Sequence, residues 1–488
     1  MKMAVTESIA SSPAPVRNQA DGGLSKSTKG RALRALASVA LGALIIPWPA
    51  FYNRLPLFYP DSIDYVRAGH FIARTLFLHR PMSYYGLRSS IYSLGILPFV
   101  VRGSAWPAVA FQCLLTSFVL WLVFRSIVPH RTASCFLVLI AALSLGSSLS
   151  WYGSLMMPDI LAPNLFLCVY LLVFARDTLS RAERCLVYFV SWFAIASHGS
   201  HLLIVVALAL VLAMLAILTR RSLREYRRVA VELAVLIALS LGAQIAVETL
   251  ANGRLSLNSG RPPFLTVRLV ADGPGRWYLE KHCANAEWET CRYLNNLGGN
   301  SDHLLWDSNG IWTPASGESR KRILGQERAF AFAVVCAYPL EELEIATTNF
   351  WRQLMVFGVT DLRKYSTVVD HIGEALPRER SEYLESPQGQ DRLPSKLFSR
   401  IQRGLVIASL LGILAILPKI WRLGSSRLLG LGFVIFSASI LNALVTGTLS
   451  SVNDRYQSRV IWLVPMLAGL CAVEWMAIRT ASVKEEHA

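Results

Sequence analysis

The chain has 488 residues, of which 53% are hydrophobic and only 16% are charged, and its mean hydropathy is +0.41. Soluble domains usually carry about 25% charged residues, so this composition excludes an ordinary soluble domain and favours a polytopic membrane protein. The net charge of +16 is uneven, because residues 250–400 hold 18 Lys or Arg and 18 Asp or Glu. The basic excess therefore flanks apolar spans, which argues against a nucleic-acid-binding face.

The N-terminal residues 1–32 are rich in Ser, Ala and Pro and are predicted to form a disordered cytoplasmic tail, not a cleaved signal peptide. Basic residues precede the first apolar run, which places the N-terminus in the cytoplasm. The predicted spans are about 33–51, 106–128, 133–152, 160–175, two parts of 185–219 separated at His198, 229–248, 401–418, 428–445 and 460–478. We therefore expect an all-α polytopic protein of about ten transmembrane helices in a bacterial inner membrane, with both termini cytoplasmic.

Two polar segments interrupt the spans. Residues 53–105 form a first outer loop of juxtamembrane helices within the N-terminal transmembrane core, 33–249. Residues 250–400 are predicted to form a small, mostly helical periplasmic domain, followed by transmembrane helices over 401–479 and a cytoplasmic tail, 480–488. Cys283 and Cys291 share a polar loop on the oxidising side, which favours a disulfide over two free thiols.

The first outer loop contains the run Tyr59-Pro60-Asp61-Ser62-Ile63-Asp64-Tyr65. Asp61 and Asp64 are three residues apart, so on a helix they share a face, and Pro60 fits the helix start. One carboxylate could act as a general base, or both could hold a divalent metal against a phosphate. The simplest alternative is that both acids only favour the positive end of the helix dipole.

Six arginines lie between Arg54 and Arg102, on a side of the membrane where the positive-inside rule expects few. Their anionic partners are either lipid headgroups or a phosphate-bearing substrate, since guanidinium groups match phosphate oxygens. Tyr84 and Tyr85 belong either to an interfacial aromatic belt or to a sugar-stacking surface.

Three later stretches add polar groups at the same predicted face. Asp159 opens a span and should face a polar cavity, because a carboxylate facing lipid is costly. His198 and His201 either end a span or bind a metal or a phosphate. Arg455 and Arg459 lie four residues apart on one helix face and form either a phosphate clamp or an interfacial anchor. We therefore expect these side chains to meet at the outer face. No CxxC, HExxH, P-loop or GxGxxG signature is present.

At these residues the chain resembles the GT-C superfamily of polytopic glycosyltransferases, especially the bacterial protein-mannosyltransferase-like and aminoarabinose-transferase-like branch. The resemblance rests on the acidic run at 59–65, the basic and aromatic run at 79–88 and Met157-Pro158-Asp159, and it covers residues 33–175 best. The family's acidic pair is often adjacent, whereas here the acids are three apart, so the resemblance does not decide which one acts.

The resemblance implies transfer of a sugar from a polyprenyl-phosphate donor to a lipid, glycan or protein acceptor at the outer membrane leaflet. Asp61 would be the base or a metal-positioning acid, with Asp64 and Asp159 assisting; no cofactor is assigned, and a divalent metal at Asp61 and Asp64 stays an open alternative. A transporter or flippase for lipid-linked saccharides, a glycan polymerase, or a scaffold subunit are the alternatives. The candidate substrate-binding residues are Arg67, His70, Arg80, Tyr84, Tyr85, Arg88, His198, His201, Arg455 and Arg459.

Overall fold

The computed structural model describes residues 21–78, 88–129, 132–219, 223–252, 255, 261–422 and 425–486. Within these ranges every regular element is a helix, and a single isolated β-bridge joins Leu57 to Leu155. The prediction of an all-α chain is therefore confirmed for the described residues. Three of the predicted substrate-binding residues, Arg80, Tyr84 and Tyr85, lie outside the described ranges.

The N-terminal half contains long apolar helices together with several short ones. Ser180 begins one of them with a reciprocal capping box to Glu183, and His198 has an extended backbone that separates the next two helices. The predicted break at His198 is therefore present. The described helices are α1 (Asp21–Ile45), α2 (Trp48–Asn53), α3 (Pro60–Leu78), α4 (Ser90–Val100), α5 (Trp106–Ile127), α6 (Ala133–Gly146), α7 (Leu149–Ser154), α8 (Leu161–Phe174), α9 (Arg181–Ser197), α10 (Gly199–Leu218) and α11 (Leu223–Asn252).

The polar segment and the C-terminal part are helical as well. One helix ends at Ala337 and the next begins at Pro339. The two do not continue into each other, because proline lacks the N–H that a continuous helix needs. The described helices here are α12 (Phe264–Asp272), α13 (Pro274–His282), α14 (Ser301–Trp306), α15 (Gly317–Ala337), α16 (Pro339–Met355), α17 (Ser366–Ala375), α18 (Arg380–Glu385), α19 (Ser395–Arg422), α20 (Ser426–Leu449), α21 (Asp454–Ile461) and α22 (Leu463–Glu486). Short 3-10 helices occur at Pro158–Ile160, Arg176–Thr178, Glu289–Asn296 and Pro377–Glu379.

Six helical stretches among the described residues are long and apolar enough to cross a membrane, which is compatible with a multi-pass membrane protein. The other four predicted spans fall on shorter or more polar helical stretches, around α1, α6, α8 and α9, so the count of ten stays a prediction. The six are Trp106–Ile127, Gly199–Leu218, Arg227–Ala251, Ser395–Trp421, Ser426–Leu449 and Asp454–Met476.

The polar segment divides between two hydrophobic cores. Residues from Val267 to Val334 form a core of their own, beside which Cys283 and Cys291 make a disulfide with a Cα–Cα distance of 5.6 Å. Residues from Val359 to Tyr383 instead join the main core of the apolar helices. The second part of the polar segment is thus packed onto the core of the apolar helices, next to α3.

Candidate active site

The β-bridge brings two acidic runs together. The backbone N–H of Leu57 donates to the carbonyl of Ser154 at 2.9 Å, and the N–H of Met156 donates to the carbonyl of Leu57 at 3.1 Å. A few residues later each strand-like segment enters a helix at a proline, which carries Asp61 and Asp159 respectively. Residues about 100 positions apart therefore reach the same place as a direct result of this pairing.

Gln388 fixes the entry to α3 from the other side. Its side-chain amide accepts a hydrogen bond from the N–H of Phe58 at 3.0 Å and donates to the carbonyl of Phe58 at 2.7 Å. Its own N–H donates to the side chain of Asn53 at 2.8 Å. Gly389 is required beside it, because a Cβ there would lie 1.9 Å from the carbonyl oxygen of Tyr383. The acidic run thus starts from a rigid backbone.

Arg88 bridges the two acids of α3. Its guanidinium donates a hydrogen bond to Asp61, and its Nε lies 3.8 Å from an oxygen of Asp64. The position of Arg88 is set by Ser89, whose hydroxyl caps α4 and donates to the carbonyl of Ala196 at 2.8 Å. The i and i+3 spacing predicted for Asp61 and Asp64 therefore gives both carboxylates one common cation.

Two further arginines come from α21. Asn453 caps this helix, and the hydroxyl of Tyr152 donates to the carbonyl of Arg455 at 3.1 Å. The guanidinium of Arg455 lies 3.5 Å from Asp61 and 3.4 Å from Asp159, and that of Arg459 lies 3.6 Å from Asp159. Arg455 thus links the acid of the first loop to the acid that opens α8.

Neutral groups complete the surroundings of the two α21 arginines. Arg459 donates to the side-chain oxygen of Asn442 at 2.8 Å and to the hydroxyl of Ser200 at 3.0 Å. The guanidinium of Arg455 lies 4.5 Å from the ring centre of Tyr59 and 5.4 Å from that of Tyr456, which is a cation–π geometry on both sides.

We call these six charged side chains the central cluster: Asp61, Asp64, Asp159, Arg88, Arg455 and Arg459. If all are ionised, three carboxylates balance three guanidiniums and the net charge is zero. Arg459 is fully buried, and Arg455 and Asp159 nearly so. Buried charges are tolerated only when they are paired, so the members of the cluster depend on one another.

Several buried donors of the cluster face no hydrogen-bond acceptor among the described residues. They are the Nε atoms of Arg88 and Arg455 and one Nη of Arg459, and both oxygens of Asp159 likewise lack a donor at hydrogen-bond distance. Ion pairs at 3.4 to 3.8 Å hold these groups close without satisfying them. An anion with several oxygen acceptors, such as a phosphate, is a chemical match for guanidinium donors.

Asp64 differs from the other two acids. Its side chain is 25% exposed, whereas that of Asp159 is 1% exposed. Burial raises the pKa of Asp64 to about 6, against the effect of Arg88 and together with the charge of Asp61. A carboxyl group with a pKa near 6 and access to solvent can accept a proton close to neutral pH.

Helix α14 of the polar segment lies beside the central cluster. The ring of Trp306, at the end of α14, lies 5.7 Å from the guanidinium carbon of Arg88 and is 40% exposed. Asp302, on the same helix, is an exposed residue. The surrounding protein partly desolvates its carboxyl group, and this desolvation, together with the charge of Asp361, raises the pKa of that carboxyl. An aromatic face and a carboxylate thus stand opposite the arginines.

The two histidines have structural partners beside the cluster. His198 accepts the N–H of Ser200 at 3.2 Å as the cap of α10, and Nδ1 of His201 lies 2.8 Å from the carbonyl oxygen of Ala194. His201 is fully buried, and its Nε2 has no partner among the described residues. The rings are 5.1 Å apart.

The metal alternative at Asp61 and Asp64 has no preformed group of protein ligands in the part of the chain that the structure describes. No group of three or more His, Cys, Asp or Glu side chains there is placed to hold a metal ion. The oxygens of Asp61, which the metal alternative requires, already face Arg88 and Arg455. The acids of this site therefore form ion pairs with arginine side chains.

Arg67 and His70 do not join the central cluster. Both line a separate cavity further along α3, where Arg67 pairs with Glu374 at 3.5 Å. Tyr59, Tyr456, Asn442 and Ser200 do contribute to the site, although the sequence did not single them out for it. Tyr59 and Tyr456 could have been found, because each is within two residues of a candidate acid or arginine.

Comparison of the chain with protein-family models, with curated proteins and with solved structures gave no match.

Proposed function

We propose that this protein is a membrane glycosyltransferase that moves a sugar from a polyprenyl-phosphate donor to an acceptor at the outer face of the membrane. The observation that carries the proposal is the central cluster itself. Three arginines and three carboxylates from four separate stretches meet beside apolar helices. An anionic group on a lipid chain is the substrate that such a boundary accommodates best.

The arginines hold the phosphate of the donor in this proposal. When the bond between the sugar carbon and the phosphate oxygen breaks, the phosphate leaves with one more negative charge. Fixed guanidinium donors that strengthen their hydrogen bonds to this oxygen lower the barrier. Arg455 and Arg459 suit this role, since each has a buried N–H without an acceptor among the described residues. Asp159 keeps both in place while the site is empty of substrate.

Asp64 is the general base in this proposal, and Asp61 is a positioning residue. Asp64 takes the proton of the acceptor hydroxyl while the acceptor oxygen forms the new bond to the sugar carbon. The electron pair of the broken carbon–oxygen bond leaves with the phosphate. The raised pKa and the partial exposure of Asp64 support this assignment. Asp61 is held by Arg88 and Arg455 and therefore orients both.

Trp306 offers a stacking surface for the sugar ring. Its half-open ring face lies over Arg88, so a sugar bound above the phosphate would contact it. Pairs of aromatic rings contribute about 0.5 to 1.5 kcal/mol beyond buried area, and we take the same order of magnitude for a sugar ring on an indole ring. We expect Trp306→Ala to raise the KM for the donor by about two- to tenfold with kcat nearly unchanged, and Trp306→Phe to restore most of the loss. An unchanged KM in the alanine variant would remove Trp306 from the site.

Donor turnover tests the proposed function directly. The purified chain in lipid nanodiscs is supplied with a panel of polyprenyl-phosphate sugars and a membrane-lipid acceptor extract, and released polyprenyl phosphate is measured by mass spectrometry. We expect release by the wild type, and a rate lower by about a hundredfold in Asp61→Asn, because Arg88 and Arg455 lose their shared partner. Asp370→Asn is the matched control, since Asp370 is an exposed acid outside the cluster. Equal rates in both variants would contradict the proposal.

The side of the membrane needs its own experiment. We expect an extracytoplasmic signal from reporter fusions at two positions: Ser90, next to Arg88, and Gly299, next to α14. A cytoplasmic signal at either position would overturn the outer-face assignment while leaving the chemistry of the cluster testable in nanodiscs.

A transporter for lipid-linked saccharides is the second candidate, and one observation favours it. The break between α9 and α10 lies beside the cluster, and there the hydroxyl of Ser200 accepts a hydrogen bond from Arg459. An interrupted helix beside a polar site is typical of transporter binding sites. In proteoliposomes, movement of intact donor across the bilayer without release of polyprenyl phosphate would favour this candidate over transfer.

A further inference from the structure

Helix α3 also lines a cavity that the proposed function does not use. Its volume is about 440 Å³, which is within the usual range for ligand sites. One wall is the face of α3 that carries Arg67, His70 and Arg74, and the opposite wall contains Glu374. These residues lie at intervals of three and four along α3, so their side chains share one side of the helix.

The cavity has more positive than negative charge. Arg67 pairs with Glu374 at 3.5 Å, but the two side chains are 41% and 55% exposed, and such a pair exchanges readily for another anion. Arg74 has no carboxylate partner among the described residues. Burial and the charge of Arg74 lower the pKa of His70, so this histidine is neutral at neutral pH. Two guanidiniums therefore face one carboxylate.

The remaining lining is apolar. Phe71, Val101 and Pro377 contribute to the walls, and Val101 is largely exposed. Phe77, which is 75% exposed, follows one turn after Arg74 on α3. A ligand with a phosphate at one end and hydrocarbon at the other would satisfy both the arginines and this apolar rim.

We propose that this cavity binds the phosphate headgroup of an anionic membrane lipid, with Arg67 and Arg74 on the phosphate and Glu374 displaced from Arg67. The site is separate from the central cluster and does not depend on sugar transfer. A charge-assisted guanidinium–phosphate contact is among the stronger hydrogen bonds in proteins. Glu374 competes with the lipid for Arg67, and this gives the proposal a distinctive prediction.

Retention of phosphatidylglycerol by the purified chain tests the proposal. The purified full-length chain is exchanged into nanodiscs of phosphatidylcholine with phosphatidylglycerol added at low fraction, and bound lipid is counted by native mass spectrometry. We expect the wild type to retain phosphatidylglycerol selectively, and Arg67→Ala combined with Arg74→Ala to weaken that retention by about tenfold or more. Arg276→Ala is the matched control, because it removes an exposed arginine of the polar segment that pairs with Glu280 at 3.9 Å.

Glu374→Gln separates a binding role from damage to the fold. Removal of the competing carboxylate should increase retention of phosphatidylglycerol several-fold, an effect that misfolding does not produce. Inorganic phosphate at millimolar concentration distinguishes the two sources of the anion: weak competition supports a lipid headgroup, and complete displacement points to a free phosphate and overturns the lipid assignment. Equal retention of both lipids, or equal loss in Arg276→Ala, would also overturn it.

Discussion

Helix α3 carries charged side chains in two contrasting settings. In its first turns, Asp61 and Asp64 belong to the buried central cluster and share Arg88. Further along, Arg67 and Glu374 form a pair of the same chemical type on an open cavity, with both side chains about half exposed. The same helix therefore presents one set of charges that are tied to one another and one set that water can solvate.

Solvation decides what each set can do. In the buried part of the cluster, removal of Asp159 leaves Arg459 uncompensated, so these charges depend on one another. In the proposed function, this fixed geometry stabilises an anionic transition state. In the open cavity an ion pair contributes little, so its members are available to a ligand. Under our two proposals, the first turn of α3 contributes to chemistry, and the turns from Arg67 onward contribute to binding.

The largest expected effect is on the buried side. Asp159→Asn keeps the shape of the side chain but leaves Arg459, and in part Arg455, without a carboxylate in a buried setting. We expect a loss of about 3 to 5 kcal/mol in the free energy of unfolding, measured by denaturant titration in detergent. Asp177→Asn is the control, because Asp177 is an exposed partner of Arg427 and its loss should cost less than about 1 kcal/mol. Equal costs would refute the difference between the two settings.

A second substitution tests fixed geometry against charge alone. Arg455→Lys retains a positive charge but loses the planar fork that faces Asp61 and Asp159 and the stacking on Tyr59. We expect the rate of donor turnover to fall by about a hundredfold with binding of the donor less affected. The measurement is kcat and KM for polyprenyl-phosphate release. A lysine variant with the wild-type kcat would mean that the cluster supplies charge without orientation.

The sequence predicted the participants of the buried cluster better than their arrangement. Asp61 and Asp159 are predicted as acids at the starts of helices, Arg88 as one of the arginines on the predicted outer side, and Arg455 and Arg459 as a pair four residues apart on one helix face. Arg67 and His70 were grouped with them by proximity in the chain. At 3.6 residues per turn, however, His70 lies about 180° around α3 from Asp61, which places it on the opposite face.

Other features had no local signal. The pairing of Leu57 with Leu155, and that of Phe58 with Gln388 across 330 residues, depend on tertiary packing, which periodicity does not encode. Trp306 comes from a polar stretch without a recognisable pattern. The breaks at His198 and Pro339 were predictable, because a run too long for one span and a proline both have a local physical cause.

The pH dependence of activity distinguishes Asp64 from Asp61. If Asp64 must be ionised to accept a proton, turnover should rise with pH through a midpoint of about 6 and level off above it. Asp64→Asn should lower the rate and remove this limb, whereas Asp302→Asn should keep it. A midpoint unchanged in residual Asp64→Asn activity would assign the limb to another group.

The stability of Asp64→Asn relative to the wild type should depend on pH in a defined direction. Burial raises the pKa of Asp64 in the folded chain above its unfolded value of 3.8, so the folded state binds the proton more tightly. The stability contributed by the protonated form is present below pH 3.8 and is lost as the pH rises through about 6. Asp64→Asn should therefore be more stable than the wild type above pH 6, and the advantage should vanish at low pH.

The smallest expected effect is at the open cavity beside α3. A double-mutant cycle of Arg67→Ala and Glu374→Ala should give a coupling energy of about 0.2 to 1 kcal/mol, because both partners stay hydrated when separated. The same cycle on Asp159 and Arg459 should give a coupling several times larger, since each buried charge depends on the other. Added salt should weaken the first coupling and leave the second nearly unchanged, because screening acts on charges that water can reach. A salt-sensitive Asp159–Arg459 coupling would show that solvent enters the central cluster.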